Sequence, residues 1–152
     1  EFSEADMQMT PEQARQRFDG ARVARLGTVT DVGDPHLVPV TFAVIDGRAG
    51  GPPTERIVFA VDHKPKSTTA LARLANIAAH PRVSFLVDHY DEDWDRLWWA
   101  RAEALAAVID GAPRAAAITA LSEKYPQYAT IPPSGVVVGA AVIRWSGWQA
   151  QG

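Results

Sequence analysis

The strongest constraint on what this chain can fold into is an early pair of β-rich runs, residues 23–30 and 36–45, separated only by Asp31-Val32-Gly33-Asp34-Pro35. Apolar, β-branched runs joined through so short a Gly/Asp/Pro cluster pair antiparallel, as a hairpin. A doubly wound parallel sheet needs a helix between consecutive strands, and its dinucleotide-binding form needs G-x-G-x-x-G after a strand. The hairpin and the missing motif both argue against that fold. Further along, strands are expected at 57–61, 83–88, 97–109 and 136–145, making six in all. Thr10-Pro11-Glu12-Gln13 carries the signature of a helix start, an N-cap followed by proline and then acid and Gln, so a short helix is expected to run to Phe18. Two more helices are expected at 67–79 and 112–124, and a proline-rich loop at 125–134. The sum is an α+β domain, a six-stranded antiparallel barrel, closed or split, with peripheral helices. Residues 9–152 read as one domain and residues 1–8 as a flexible start, with Glu1-Phe2 as a cloning remnant.

Composition narrows the function classes. The 152 residues carry a formal net charge of −3, which argues against a nucleic-acid partner, because binding a polyanion rests on many Lys and Arg side chains. The chain has no cysteine, so disulfides, thiolate nucleophiles and cysteine-ligated metals are excluded together, and a reducing cytoplasm is compatible. No apolar run reaches the roughly 18 residues of a spanning helix. Neither G-x-S-x-G nor G-x-x-x-x-G-K-[ST] occurs, which removes the nucleophile-elbow hydrolases and the P-loop nucleotide binders. The four histidines, His36, His63, His80 and His89, have no i,i+2 or i,i+4 pairing, and no metal site is expected. The acid cluster Asp91-Glu92-Asp93-Trp94-Asp95 lacks the glycine and distal Glu of a calcium loop and reads as a solvated turn.

The chemistry concentrates where the 57–61 strand passes through Asp62-His63-Lys64-Pro65-Lys66 into the helix opening at Ser67-Thr68-Thr69. A helix start exposes unpaired N–H groups and partial positive charge, and acids normally flank it. Here two lysines flank it instead. Two residues apart on an extended backbone, Lys64 and Lys66 point the same way, beside the Ser67 hydroxyl, which makes the junction a candidate site for a phosphate or carboxylate. A solvated basic turn with Ser67 as N-cap is the plainer alternative.

Two further features add to it. Pro39 interrupts an otherwise strong strand, removes a ladder donor and marks an edge or bulge. Backbone groups of Val38, Val40 and Thr41 are then free to meet a flat heterocycle. Of five tryptophans, Trp98 and Trp99 are adjacent on a strand and face opposite ways, one towards the core and one outwards.

Taken together, Pro35-His36-Leu37-Val38-Pro39-Val40-Thr41-Phe42, the Asp62-to-Ser67 junction, Ala79-His80-Pro81-Arg82-Val83 and Trp98-Trp99-Ala100-Arg101-Ala102-Glu103 resemble the pyridoxamine-phosphate-oxidase-like superfamily. More narrowly, they are similar to its actinobacterial branch of coenzyme F420-dependent oxidoreductases. The resemblance implies a split β-barrel of the FMN-binding type, a homodimer with two cofactor sites at the interface, and a hydride passed from the reduced deazaflavin to an organic small-molecule acceptor, large planar ones included. It places the cofactor phosphate on Lys64, Lys66 and Ser67, the ring system along Val38, Pro39, Val40 and Thr41, and Trp98 and Trp99 as contributions of the partner subunit. Many relatives carry Arg where Lys64 stands, and Lys keeps the charge but loses bidentate geometry. No general acid is assigned; His36 and His63 are candidates only because histidine titrates near neutrality. Two alternatives remain open, besides a pyridoxamine phosphate oxidase proper, which should carry more arginines for a second phosphate than this chain offers. One is an FMN-binding oxidoreductase of the same fold, and the other a non-catalytic protein that stores or shields a cofactor or tetrapyrrole.

Overall fold

In the computed structural model, which describes residues 7–47, 54–61 and 68–150, the run 36–45 is not one strand. It divides at Thr41 and Phe42 into β2 (Pro35–Val40) and β3 (Ala43–Gly47). β2 forms the expected hairpin with β1 (Ala24–Val29), setting Leu26 opposite Val38 and Ala24 opposite Val40. Gly33, at φ 90°, closes the turn, with the Thr30 and Asp34 backbones bonded across it at 2.9 Å. β3 pairs instead with β4 (Thr54–Ala60).

The remaining elements are α1 (Pro11–Asp19), α2 (Thr68–Ala79), β5 (Arg82–His89), a 3-10 turn at Trp94–Arg96, β6 (Trp98–Ile109), α3 (Gly111–Lys124), α4 (Pro126–Thr130) and β7 (Val137–Gln149). All seven strands join one antiparallel sheet in the order β2-β1-β5-β6-β7-β4-β3. The two edge strands are therefore consecutive in sequence. Val40 and Ala43 are three Cα steps apart, at most about 11 Å, so the sheet has to curl until its two edges lie side by side. No ladder joins β2 to β3, so the barrel is split rather than closed.

The expectation of six strands is thus corrected to seven. The cause is Tyr125, from the end of α3. Its hydroxyl accepts the Phe42 N–H at 3.1 Å and donates to the carbonyl of Arg22 (2.8 Å) or of Phe42 (3.0 Å). The backbone groups that a continuous strand would give to a neighbour are satisfied by a side chain. Tyr128, from α4, adds a hydrogen bond to the Thr41 hydroxyl at 3.1 Å. Two smaller differences follow: α4 occupies part of the expected 125–134 loop, and β7 runs on past Trp145 to Gln149.

α1 begins as its sequence predicts. Thr10 Oγ1 accepts from the Gln13 N–H, the Gln13 side chain accepts from the Thr10 N–H, and Pro11 takes the first helical position. The helix then inserts Phe18 into the barrel, where its ring centroid lies 4.7 Å from Phe42, 5.2 Å from Trp145 and 6.3 Å from Phe85. The inward face of β6 is Ala100, Ala102, Ala104 and Ala106, all buried, and their small size leaves room for these rings. A second, smaller core, with Ala117, Leu121 and Tyr125 against Val58 and Val137, fixes α3 on the outside of the β3-β4-β7 half. The outer face of the other half exposes Leu37, Leu86 and Leu105. No described helix is long and apolar enough to cross a membrane.

Candidate functional site

β2 is an edge strand, as Pro39 implies: β1 is its one strand partner, so one row of its backbone groups faces no strand. Val38 and Val40 turn their side chains into the core, 9% and 6% exposed, while Pro39, opposite Arg25, faces outwards. A ligand can meet this segment only through its backbone, through Pro39 and through the half-buried Thr41.

Lys64, Lys66 and Ser67 lie outside the described residues, as does His63. The flanks of the junction are described. Val61 donates its N–H to the Val136 carbonyl at 2.8 Å, and α2 starts at Thr68. The chain therefore leaves the sheet for the lysine segment beside the first residues of β7. Trp98 and Trp99 sit at the other end of that strand, opposite Gln149 and Trp148. Val137 to Trp148 is up to about 36 Å of strand at some 3.3 Å per residue. Within one chain, Val61, the last described residue before the junction, and the tryptophan pair thus flank opposite ends of β7.

The two tryptophans alternate as expected. Trp98 packs against the core, stacked on His89 at 6.2 Å and 18°, with the Arg17 guanidinium 5.0 Å from its ring centroid. Trp99 lies on the outer face beside Trp148, with the Arg101 guanidinium 5.1 Å away. Two cavities share these outer indoles. One, of about 390 Å³, adds Asp88, His89 and Tyr90. The other, of about 550 Å³, adds Gln8, Met9, Arg101, Arg144 and Ser146. Arg101 and Ser146 were not expected at a site. The only signal for Arg101 is its spacing of two from Trp99, and Ser146 has none until the β6–β7 register is known.

Electrostatic perturbation is concentrated at the seam rather than at the tryptophans. Lys124 has its ammonium 3.7 Å from the Phe42 ring centroid and no hydrogen-bond partner among the described residues. Burial lowers its pKa to about 8, with Arg22 adding to the fall and Asp19 opposing it. Burial likewise pushes the Tyr125 hydroxyl up, which keeps its proton for the Arg22 and Phe42 carbonyls. Among the described residues no group of three or more His, Asp or Glu side chains could hold a metal ion.

Comparison with known proteins agrees with this architecture. A family model described as Pyridoxamine 5'-phosphate oxidase matches residues 10–149. A conserved hypothetical protein from Mycobacterium tuberculosis is 24% identical, with 99% of this chain and 91% of that one covered at a TM-score of 0.70. An FAD binding protein from Mycobacterium smegmatis is 16% identical, with 93% and 98% covered at 0.62. The heme storage protein from Vibrio cholerae is 14% identical, with 88% and 90% covered at 0.57. At these identities the likeness is one of fold. No protein of curated function matches the chain.

Proposed function

Since the chain belongs to the pyridoxamine 5'-phosphate oxidase family, which it matches over residues 10–149, we propose that it is a cofactor-binding oxidoreductase that uses coenzyme F420 to reduce a small organic acceptor. The observation that carries this reading is the edge strand β2, open along one side and ending at Thr41, where the Tyr128 hydroxyl holds the side chain at 3.1 Å. An unpaired row of backbone N–H and C=O groups next to a proline fits a flat heterocycle whose rim carries donors and acceptors. Residues 38–41 are the cofactor's ring wall in this reading, and Lys64, Lys66 and Ser67 at the start of α2 take its phosphate.

The separation of Val61 from Trp99 along β7 supports a homodimeric site, in which Trp98 and Trp99 of one subunit close over the cofactor held by the other. A cytoplasmic location belongs to the same proposal. When bound, the reduced deazaflavin supplies the hydride. The chain's own task is to orient the ring against β2, to hold the acceptor over it and to exclude water with indole surface. No acid–base residue is required of the protein.

A non-catalytic role in holding a cofactor or tetrapyrrole is the second reading, favoured by the His89–Trp98 stack beside the 390 Å³ cavity. The test is a fluorescence titration with coenzyme F420 and, in parallel, with FMN, repeated on Lys66→Ala. Micromolar deazaflavin binding, weaker FMN binding and a loss of about 1–3 kcal/mol in the variant are expected. A preference for FMN moves the assignment to a flavoprotein of the same fold, and binding of neither overturns it. Bound, reduced cofactor that is reoxidised no faster when acceptors are added would leave the storage reading.

A further inference from the structure

Two tyrosines of the α3–α4 corner approach one dipeptide at the seam, and their hydroxyls serve different ends. Tyr125 is buried and its hydroxyl is engaged with backbone: it accepts the Phe42 N–H and donates to the carbonyl of Arg22 or of Phe42. Tyr128 is half-buried, and its hydroxyl meets a side chain instead, Thr41 Oγ1 at 3.1 Å.

The fold gains little from that second hydroxyl. The Tyr128 ring already packs edge-on against Tyr125, centroids 5.8 Å apart at 80°, and the Ser122 hydroxyl anchors α4 by donating to the Tyr128 carbonyl at 3.3 Å. Both contacts survive Tyr128→Phe. What the hydroxyl controls is the threonine. Thr41 follows the last β1–β2 pair, Ala24 with Val40, so it stands beyond the ladder at the end of the open strand. A threonine hydroxyl carries one donor and two acceptor lone pairs on a rotor, and in the 3.1 Å contact either oxygen can be the donor. When Tyr128 donates, the Thr41 hydrogen is left for a carbonyl; when Thr41 donates, one of its lone pairs is left for an N–H. Both arrangements hold the Thr41 oxygen in one place, so a single preset atom serves either kind of group on a heterocycle rim.

We propose that Tyr128 is a positioning residue for the cofactor: its hydroxyl fixes the Thr41 side chain at the end of the β2 edge, and Thr41 makes the contact with the ring. This rests on the reading of residues 38–41 as the ring wall. Linkage makes the effect reciprocal: a bond that strengthens cofactor binding is itself strengthened by the cofactor, so α4 tightens when the site fills.

The experiment is a fluorescence titration with coenzyme F420 and with FMN on the wild type, Tyr128→Phe, Thr41→Val, Thr41→Ser and the double variant Tyr128→Phe/Thr41→Val, with circular dichroism to confirm folding. Whichever cofactor the wild type binds is expected to weaken about threefold to tenfold in Tyr128→Phe. The double variant should bind no more weakly than Thr41→Val alone, because Tyr128 then has no hydroxyl left to position. Thr41→Ser, which keeps that hydroxyl, should stay within about threefold of the wild type. Hydrogen exchange at the Ala129 and Ile131 amides, bonded to the carbonyls of Tyr125 (3.2 Å) and Gln127 (3.0 Å), should slow on saturation with cofactor in the wild type and not in Tyr128→Phe. If the wild type binds neither cofactor, the cofactor reading falls and this inference with it. If the wild type binds and Tyr128→Phe binds equally well, or the loss persists undiminished in the Thr41→Val background, or exchange in α4 ignores the cofactor, the positioning role alone is overturned. Should Thr41→Val not fold, Tyr128→Phe against the wild type and the exchange measurement decide.

Discussion

The hydroxyl of Tyr125 reaches the backbone of Phe42 on both sides, 3.1 Å from its nitrogen and 3.0 Å from its carbonyl oxygen. One side chain thereby replaces two ladder bonds at the point where the chain passes from one edge of the sheet to the other. Tyr125→Phe leaves those groups and the Arg22 carbonyl to find other partners in a buried setting, and is expected to cost about 1–3 kcal/mol in urea unfolding. Tyr128→Phe, which loses only the bond to the Thr41 hydroxyl, is expected to cost under about 1 kcal/mol.

Lys124 gives the protein an alkaline-strengthening term. Its folded pKa is about 8, below the ordinary 10.5, so between those values the unfolded chain binds the more protons and stability rises with pH. Below pH 8 both states are protonated and the burial penalty is constant. Lys124→Met, which keeps the stem over Phe42 without the charge, is expected to flatten the rise between pH 8 and 10.5, as read from unfolding midpoints across that range.

Gly147 is where the first residues of the domain approach β7. A Cβ there would lie 2.8 Å from Met9 Sδ and 2.9 Å from the Trp99 carbonyl oxygen, and the latter is backbone and cannot swing aside. Gly147→Ala is therefore expected to push Met9 off the strand and to lower stability by about 1–3 kcal/mol. Thermal unfolding followed by tryptophan emission reads both effects.

Phe18 closes the barrel from α1, fully buried among Phe42, Phe85 and Trp145. Phe18→Ala is expected to cost about 3–5 kcal/mol in the same unfolding assay, and Phe18→Leu markedly less, because the substituted side chain still fills most of the space.

What the sequence disclosed and what it hid divide along contact range. The start of α1 was legible because the Thr10–Gln13 capping exchange lies within four residues, and the β1–β2 hairpin because its turn residues are adjacent. The alternation of Trp98 and Trp99 follows from strand geometry alone. The division of residues 36–45 was not legible, because its cause, Tyr125, is 83 residues away from Phe42. The Arg101–Ser146 pair was hidden for a related reason: the β6–β7 register shifts at Glu103/Ala104, where Ile143 is an extra residue on β7, and neither strand announces that shift. The phosphate candidates Lys64, Lys66 and Ser67 rest on local sequence and on the family, since they lie outside the described residues.

β7 follows every other strand in the chain yet lies between β6 and β4 in the sheet. While the protein is being made, the ribosome therefore releases two incomplete halves, β2-β1-β5-β6 and β4-β3, that share no ladder. The seam at Thr41–Phe42 tethers them but cannot align them. Only when residues 137–149 emerge can a nascent chain zip both halves onto one strand, and until then it exposes two bare rims to chaperones or to neighbouring chains.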